Sequence, residues 1–202
     1  MKEIIAKYVE PYEIDGVVNK PVWNNLLPLS DCVSGEIPSF LTSFGVANDG
    51  ENLYFIFKVS DNAIKPIRTK YNSKIYLEEV VEVFISGADI RKYIELEVSP
   101  NNTKFCCKII NNMKGSRRLK LLSKCVIDSK VFITDYGYNV EIKASIKAIS
   151  NKLNIRDLKV SYFNAYRIKR PENSNWELSA LSPTGVEGFH YPRSFVKLVM
   201  EE

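Results

Sequence analysis

The chain is poor in the residues that usually announce chemistry. One histidine, His190, occurs among 202 residues. No G-x-S-x-G elbow accompanies it, which removes the sequence mark of an α/β-hydrolase nucleophile. Four cysteines are present (Cys32, Cys106, Cys107 and Cys125) and no two are spaced as C-x-x-C, which argues against a zinc or iron–sulfur cluster. Cys106 and Cys107 are adjacent in a strand-like run, so their side chains point to opposite faces. The cysteines read as buried free thiols, with a pairing of Cys125 to Cys106 or Cys107 across neighbouring strands as the alternative in a secreted protein.

Other absences narrow the class further. No run approaches the roughly 18 apolar residues of a membrane-spanning helix, and residues 1–7 contain no apolar leader core. These readings place the chain in the cytoplasm, with secretion as the alternative if a leader has been removed. The excess of positive charge is small, 28 Lys and Arg against 24 Asp and Glu. It is also scattered. The densest basic run, Arg117-Arg118-Leu119-Lys120, reads as a solvated strand or turn, so neither nucleic acid nor a membrane surface is indicated as a partner. Linker-like, low-complexity and repeated segments are missing, which predicts one domain over residues 1–202. With 45% hydrophobic residues, a chain of this length can bury a full core without staples.

What is present is a series of short runs of β character. In residues 52–60, Leu53, Phe55, Phe57 and Val59 alternate against Tyr54, Ile56 and Lys58. In residues 80–86, Val81, Val83 and Ile85 oppose Glu82 and Phe84. In residues 93–98, Ile94, Leu96 and Val98 point inward, while Tyr93, Glu95 and Glu97 point outward, where solvated glutamates are ordinary. Further strands are predicted at 104–110, 119–127, 131–133, 138–146, 160–168 and 195–200. Turn signals separate them at Asn48-Asp49-Gly50, residues 99–102, Asp135-Tyr136-Gly137 and residues 182–185. Helical signal is confined to a turn near residues 144–153. Many short strands at this spacing predict an all-β fold, a jelly-roll-like antiparallel β-sandwich.

The motifs in their order resemble carbohydrate-binding module family 9. Ile14-Asp15-Gly16 followed by Trp23 is similar to the opening of that family. Residues 49–61 (DGENLYFIFKVSD) resemble its strand motif, and residues 78–85 (EEVVEVFI) its acidic motif. Residues 93–102 (YIELEVSPNN) resemble its Y-x-x-x-E-x-S-P-N-G run, with Asn102 in the glycine position, which asparagine tolerates because it visits the left-handed region. Residues 163–168, Trp176, and 189–198 resemble its C-terminal block. The resemblance implies a β-sandwich that binds sugar ends between aromatic side chains, often as an appendage of xylanases. Leu77 stands where the family's acidic cluster opens, and Val196 where a glycine follows the last aromatic. The family's first binding tryptophan has no Trp counterpart, so Tyr71 or Tyr76 takes its place.

Candidate site residues follow. Trp176, in the polar run 171–176, can lie against the apolar C–H face of a sugar ring while the hydroxyls stay free for hydrogen bonds. Trp23 reads as core. Tyr71 and Tyr76 are placed to complete an aromatic sandwich. Glu78 and Glu79 can accept hydrogen bonds from ligand hydroxyls or hold a structural calcium ion. Asn164 and Arg167 lie three apart on one strand, so they face opposite sides. Arg167 is expected to donate to a sugar or to pair internally with Glu82. His190 reads as a structural histidine bonded to backbone near Pro192. The expected function is a non-catalytic module that holds a saccharide, such as a chain end. The alternatives are a glycoside hydrolase or its subunit in carbohydrate catabolism, which needs two carboxylates about 5 to 10 Å apart, a module acting through protein contacts, and a haem-binding redox domain with Met113 and His190 as ligands.

Overall fold

A computed structural model describes residues 3–61, 66–170 and 176–202. Its strands are Glu3–Tyr8 (β1), Leu27–Pro28 (β2), Ser30–Asp31 (β3), Thr42–Asn48 (β4), Asn52–Val59 (β5), Val80–Ser86 (β6) and Lys92–Val98 (β7). Lys104–Asn111 (β8), Arg117–Leu121 (β9), Ile127–Thr134 (β10), Gly137–Ser145 (β11), Ser161–Lys169 (β12), Glu177–Ala180 (β13) and Val196–Met200 (β14) follow, with one helix at Ile146–Leu153 (α1).

The strands form two layers that share β1. One layer runs β10-β11-β5-β4-β1 and the other β1-β14-β12-β6-β7-β8-β9. Pairing is antiparallel except at β1, which lies parallel to β14 and to β4 and so joins the layers. The alternation read from the sequence assigns the faces. Phe44, Phe55, Phe57, Val140 and Ile142 from the first layer meet Val81, Val83, Leu96, Phe163 and Leu198 from the second in one core. The Phe163 ring spans the gap, with its centroid 5.8 Å from that of Phe44 and 6.5 Å from that of Phe55. The fold is therefore the expected β-sandwich.

Each outer face carries a smaller apolar cluster under covering segments. Tyr54 and Ile56 of the first layer lie beneath Ile14 and Trp23 from the N-terminal segment. Phe84, Tyr93 and Tyr166 of the second lie beneath Ile75, Phe189 and Phe195. Both outer faces are thus largely dry, which the alternation alone does not predict.

Local chemistry fixes the corners. Asp49 accepts from the backbone N–H groups of Glu51 and Asn52 while Gly50 takes φ +86°, the Asx-type turn that Asn48-Asp49-Gly50 announces. Gly137 sits so close to β5 that an added Cβ would lie 1.9 Å from the Val59 carbonyl oxygen. Asn102 adopts φ +63°, the left-handed conformation expected where it replaces glycine. The helix is a full two turns rather than the single turn expected. Its N-cap Ser145 accepts from the Ala148 N–H at 3.2 Å, and Asn154 closes it at φ +60°.

Three expectations change. The strand predicted over 119–127 is broken, because Cys125 bonds Cys106 between the end of β9 and the start of β10. Two of the four cysteines are therefore bridged rather than free, and only Cys32 and Cys107 are free thiols. A bridge closing a loop of this length removes about 3 kcal/mol of unfolded-chain entropy. Finally, β1, β2, β3, β4 and β13 escaped the sequence reading. In β4 the reason is Gly45, which interrupts the apolar pattern; an added Cβ there would lie 2.7 Å from Leu26 Cδ2 and 3.0 Å from Trp23 Cε3.

Candidate functional site

The chemically unusual region of the molecule is the outer face of β6, β7 and β8. Register brings the groups together: Glu82 lies opposite Glu97, and Glu95 lies opposite Cys107. Alternation sends Val81, Val83, Leu96 and Val98 into the sandwich and sends these four side chains the other way. One carboxylate oxygen from each of Glu82, Glu95 and Glu97 lies within 4.8 Å of the others. The expectation of solvated glutamates is overturned here, since Glu95 is 4% exposed and Glu97 is 0% exposed. The cause is the layer of residues that covers this face, including Ile75, Phe189 and Phe195.

Burial governs the electrostatics. Desolvation raises Glu82 and Glu97 well above the ordinary carboxylate range, and their acidic neighbours add to it. Glu95 is also raised by burial, and hydrogen bonds from Glu97 and Cys107 oppose that rise. The Cys107 thiol donates to Glu95 Oε2 at 3.2 Å, and burial followed by the Glu95 charge pushes the thiol up. Apart from that carboxyl–carboxyl bond to Glu95, the oxygens of Glu97 have no hydrogen-bond partner among the described residues.

Three side chains stand over this cluster. Tyr76 packs edge-on against Phe105 at 5.6 Å, and burial and then the charges of Glu97 and Glu95 raise its phenol. Arg170, just beyond β12, donates from Nη2 to the Tyr76 carbonyl and lays its guanidinium over one face of the Trp176 ring. Burial lowers Arg170 to about 10, with Glu82 acting against the shift. Trp176 is 57% exposed, whereas Trp23 is 3% exposed and donates from Nε1 to Glu141 at 3.2 Å. Trp23 is thus the core tryptophan the sequence indicated. The polar run ahead of Trp176, residues 171–175, lies outside the described residues.

The remaining expected site residues are held elsewhere. Tyr71 is partly exposed and donates to the Leu122 carbonyl at 2.7 Å. Glu78 accepts from the backbone N–H groups of Ile67 and Arg68 and pairs with the Arg68 guanidinium. Glu79 is buried and pairs with Lys169, and burial raises its carboxyl. Asn164 and Arg167 do face opposite sides. Asn164 donates to the Ser182 carbonyl at 2.8 Å. Arg167 is fully buried and bonds Asp61 Oδ2 at 2.6 Å, so its internal partner is Asp61 rather than Glu82. The structure therefore gathers Tyr76 and Trp176 with Arg170, and engages Glu78, Glu79, Asn164 and Arg167 with protein groups.

Met113 and His190 line one cavity of about 790 Å³ together with Asn111 and Arg117. His190 Nδ1 lies 2.8 Å from the Tyr93 hydroxyl, so its ring partner is a side chain rather than the expected backbone. Burial and the nearby Arg117 lower His190 to about 3, which keeps the imidazole neutral.

Sequence reasoning placed Glu95 and Glu97 in water, gave Glu82 to Arg167 as an internal partner, read Cys107 only as a buried thiol or a disulfide partner of Cys125, and passed over Arg170. The available signal was aromatic. Phe84 shares the face of Glu82, and Tyr93 shares that of Glu95 and Glu97. Large apolar residues on both faces of a strand mark a face that is covered.

Comparison with known proteins gives consistent matches. A family model described as carbohydrate family 9 binding domain-like matches residues 14–187. A structure from Bacteroides uniformis, of a protein proposed to bind carbohydrate, superposes with a TM-score of 0.76 at 16% identity, covering 99% of each chain. A family 9 carbohydrate-binding module from Caldicellulosiruptor kristjanssonii, in complex with cellotriose, superposes with a TM-score of 0.67 at 18% identity over 99% of this chain and 94% of that one. An Arthroderma benhamiae protein named "Extracellular protein" is 32% identical over 108 residues, covering 50% of this chain and 48% of its own length. The chain thus spans about half the length of that curated relative. Among the described residues, no helix is long and apolar enough to cross a membrane.

Proposed function

The chain belongs to the carbohydrate family 9 binding domain-like family, and from that premise we propose that it holds a saccharide against Trp176 without cleaving it. The observation that carries this reading is the exposed Trp176 ring. It stays in water at 57% exposure beside a group of buried polar side chains, in a chain whose other tryptophan is sequestered. Arg170 covers one face of the ring. The other face is offered to the apolar side of a sugar, a geometry that aromatic rings favour. Tyr76 and Arg170 supply the second aromatic surface and the charge-assisted donor at the rim. Cellotriose and glucose, held by the Caldicellulosiruptor kristjanssonii modules, are the first ligands to try.

Hydrolysis is disfavoured by access. Glu82, Glu95 and Glu97 are close enough to resemble a carboxylate pair, but at 2%, 4% and 0% exposure they leave no room for a glycosidic bond between them. The test is a calorimetric titration with cellotriose and glucose. Wild-type protein is expected to bind at least one of them. Trp176→Ala is expected to weaken binding about tenfold or more, roughly 1.4 kcal/mol. Saccharide affinity unchanged by the substitution would remove the stacking proposal.

The same reading places the chain in an oxidising compartment, on the strength of the Cys106–Cys125 bridge and the named extracellular relative. Thiol titration of the denatured, unreduced protein is then expected to count two thiols; four would contradict it.

A further inference from the structure

The cavity at His190 stands apart from the Trp176 rim. Tyr93, the partner of His190, pairs with Ser86 at the last residue of β6. Val80, the first residue of β6, pairs with Ile168, shortly before Arg170. The two regions thus lie toward opposite ends of that strand. The cavity holds about 790 Å³, within the range of small-ligand sites.

Beneath it lies a chain of hydrogen bonds with a set direction. The Asn111 amide donates to the His190 carbonyl at 3.0 Å and to the Tyr93 hydroxyl at 3.5 Å. Asn111 and Tyr93 are both buried, at 6% and 0% exposure. Because the hydroxyl oxygen accepts from Asn111, its proton is directed to His190 Nδ1, 2.8 Å away. A neutral imidazole that accepts at Nδ1 carries its own proton on Nε2. That N–H has no protein acceptor among the described residues, and it is not sealed from solvent. The fold therefore holds one oriented donor at a cavity and leaves it unused.

The cavity wall is cationic. Lys114, Arg117 and Arg193 line it against a single acid, Glu187. Among the described residues, none of these four side chains takes part in an ion pair or a hydrogen bond. Arg117 is the charge that acts on the His190 ring. A guanidinium is matched to carboxylate and phosphate oxygens, which it can bond bidentately.

We propose that this cavity binds the oxyanion group of a small ligand, a carboxylate or a phosphate, between the Nε2–H of His190 and the guanidinium of Arg117. The histidine supplies direction, since Tyr93 and Asn111 hold its ring. The arginine supplies charge, and the exposed Arg193 and Lys114 outweigh Glu187 at the rim. This inference does not rest on saccharide binding at Trp176.

His190 is the single histidine of the chain, so its imidazole signals in NMR are unambiguous. Wild-type protein is titrated at neutral pH with sodium phosphate and with sodium glucuronate, with ionic strength held constant by sodium chloride. Glucose serves as the uncharged counterpart of glucuronate. At least one oxyanion is expected to move the His190 Nε2 and Cε1–H signals along a saturating curve, with one ligand per chain. Saturation by phosphate alone assigns the phosphate source, and saturation by glucuronate alone the carboxylate source. Arg117→Gln is expected to weaken that binding about tenfold or more, whereas Trp176→Ala leaves it unchanged. Shifts that only follow sodium chloride overturn the proposal, as do shifts that glucose reproduces or an Arg117→Gln variant that binds as well as wild type. The ring nitrogen shifts of the wild type supply a check that needs no variant. They are expected to place the proton on Nε2, and a proton on Nδ1 overturns the proposal.

Discussion

Glu141 and Glu97 are the same residue type, equally buried, on the two opposite outer faces of the sandwich. Glu141 accepts hydrogen bonds from the Tyr12 hydroxyl, the Asp15 and Gly16 backbone N–H groups, Lys20 Nζ and Trp23 Nε1. Glu97 accepts none. One carboxylate ties the N-terminal segment onto the first layer and is satisfied by it. The other sits among two further acids beneath an arginine that bonds elsewhere. The difference teaches where to look for function. A buried carboxyl with a full set of donors is explained by the fold, and one that finds only another acid calls for something beyond it.

Breaking the satisfied side has the largest expected effect. Glu141→Ala strands two backbone N–H groups and the Trp23 indole, and leaves Lys20 with Asp15 as its remaining carboxylate. A loss of about 3–5 kcal/mol in urea unfolding is expected, with the Trp23 emission reporting the loosened segment. A loss below about 1 kcal/mol would show that the network contributes little.

Altering the unsatisfied side is expected to act in the opposite direction. Burial raises Glu82 and Glu97 above the usual carboxylate value of 4.5. Below that pH the folded and unfolded chains both hold these protons, and no penalty arises. Above it the unfolded chain releases protons that the folded chain retains, so stability falls as pH rises from about 4.5 toward neutrality. Glu97→Gln removes its share of that decline. The variant is expected to be more stable than wild type near neutral pH, on the order of 1–3 kcal/mol, and to show a shallower slope of stability against pH. A variant less stable than wild type across that range would mean that the Glu95–Glu97 hydrogen bond outweighs the cost of burying the acid.

The same comparison shows what the sequence made legible. In the strands that were read, alternation gave the faces: Leu53, Phe55, Phe57 and Val59 entered the core as it required. The Ile14-Asp15-Gly16 and Trp23 motif was visible as a pattern, and its physical reason is Glu141, some 120 residues away. Alternation reports which face a side chain takes, but not whether another segment lies across that face. Hence Glu95 and Glu97 were given the right face and the wrong environment. Arg170 escaped notice because its role depends on Tyr76 and Trp176 meeting it in space, and nothing in the local run of residues signals that. Asn164 and Arg167 stood out as polar residues in an apolar strand, and the structure shows them bonded to Ser182 and Asp61. The Cys106–Cys125 bridge was one of two pairings the sequence left open, and Cys107 is excluded from it because its thiol points away to Glu95.

The account stands most directly on Trp176. In parallel calorimetric titrations of wild-type protein and Trp176→Ala with cellotriose, the wild type is expected to bind, and the variant to lose about tenfold or more in affinity. Equal affinity in the two proteins would contradict the claim that the exposed ring beside the acidic cluster is where the saccharide is held.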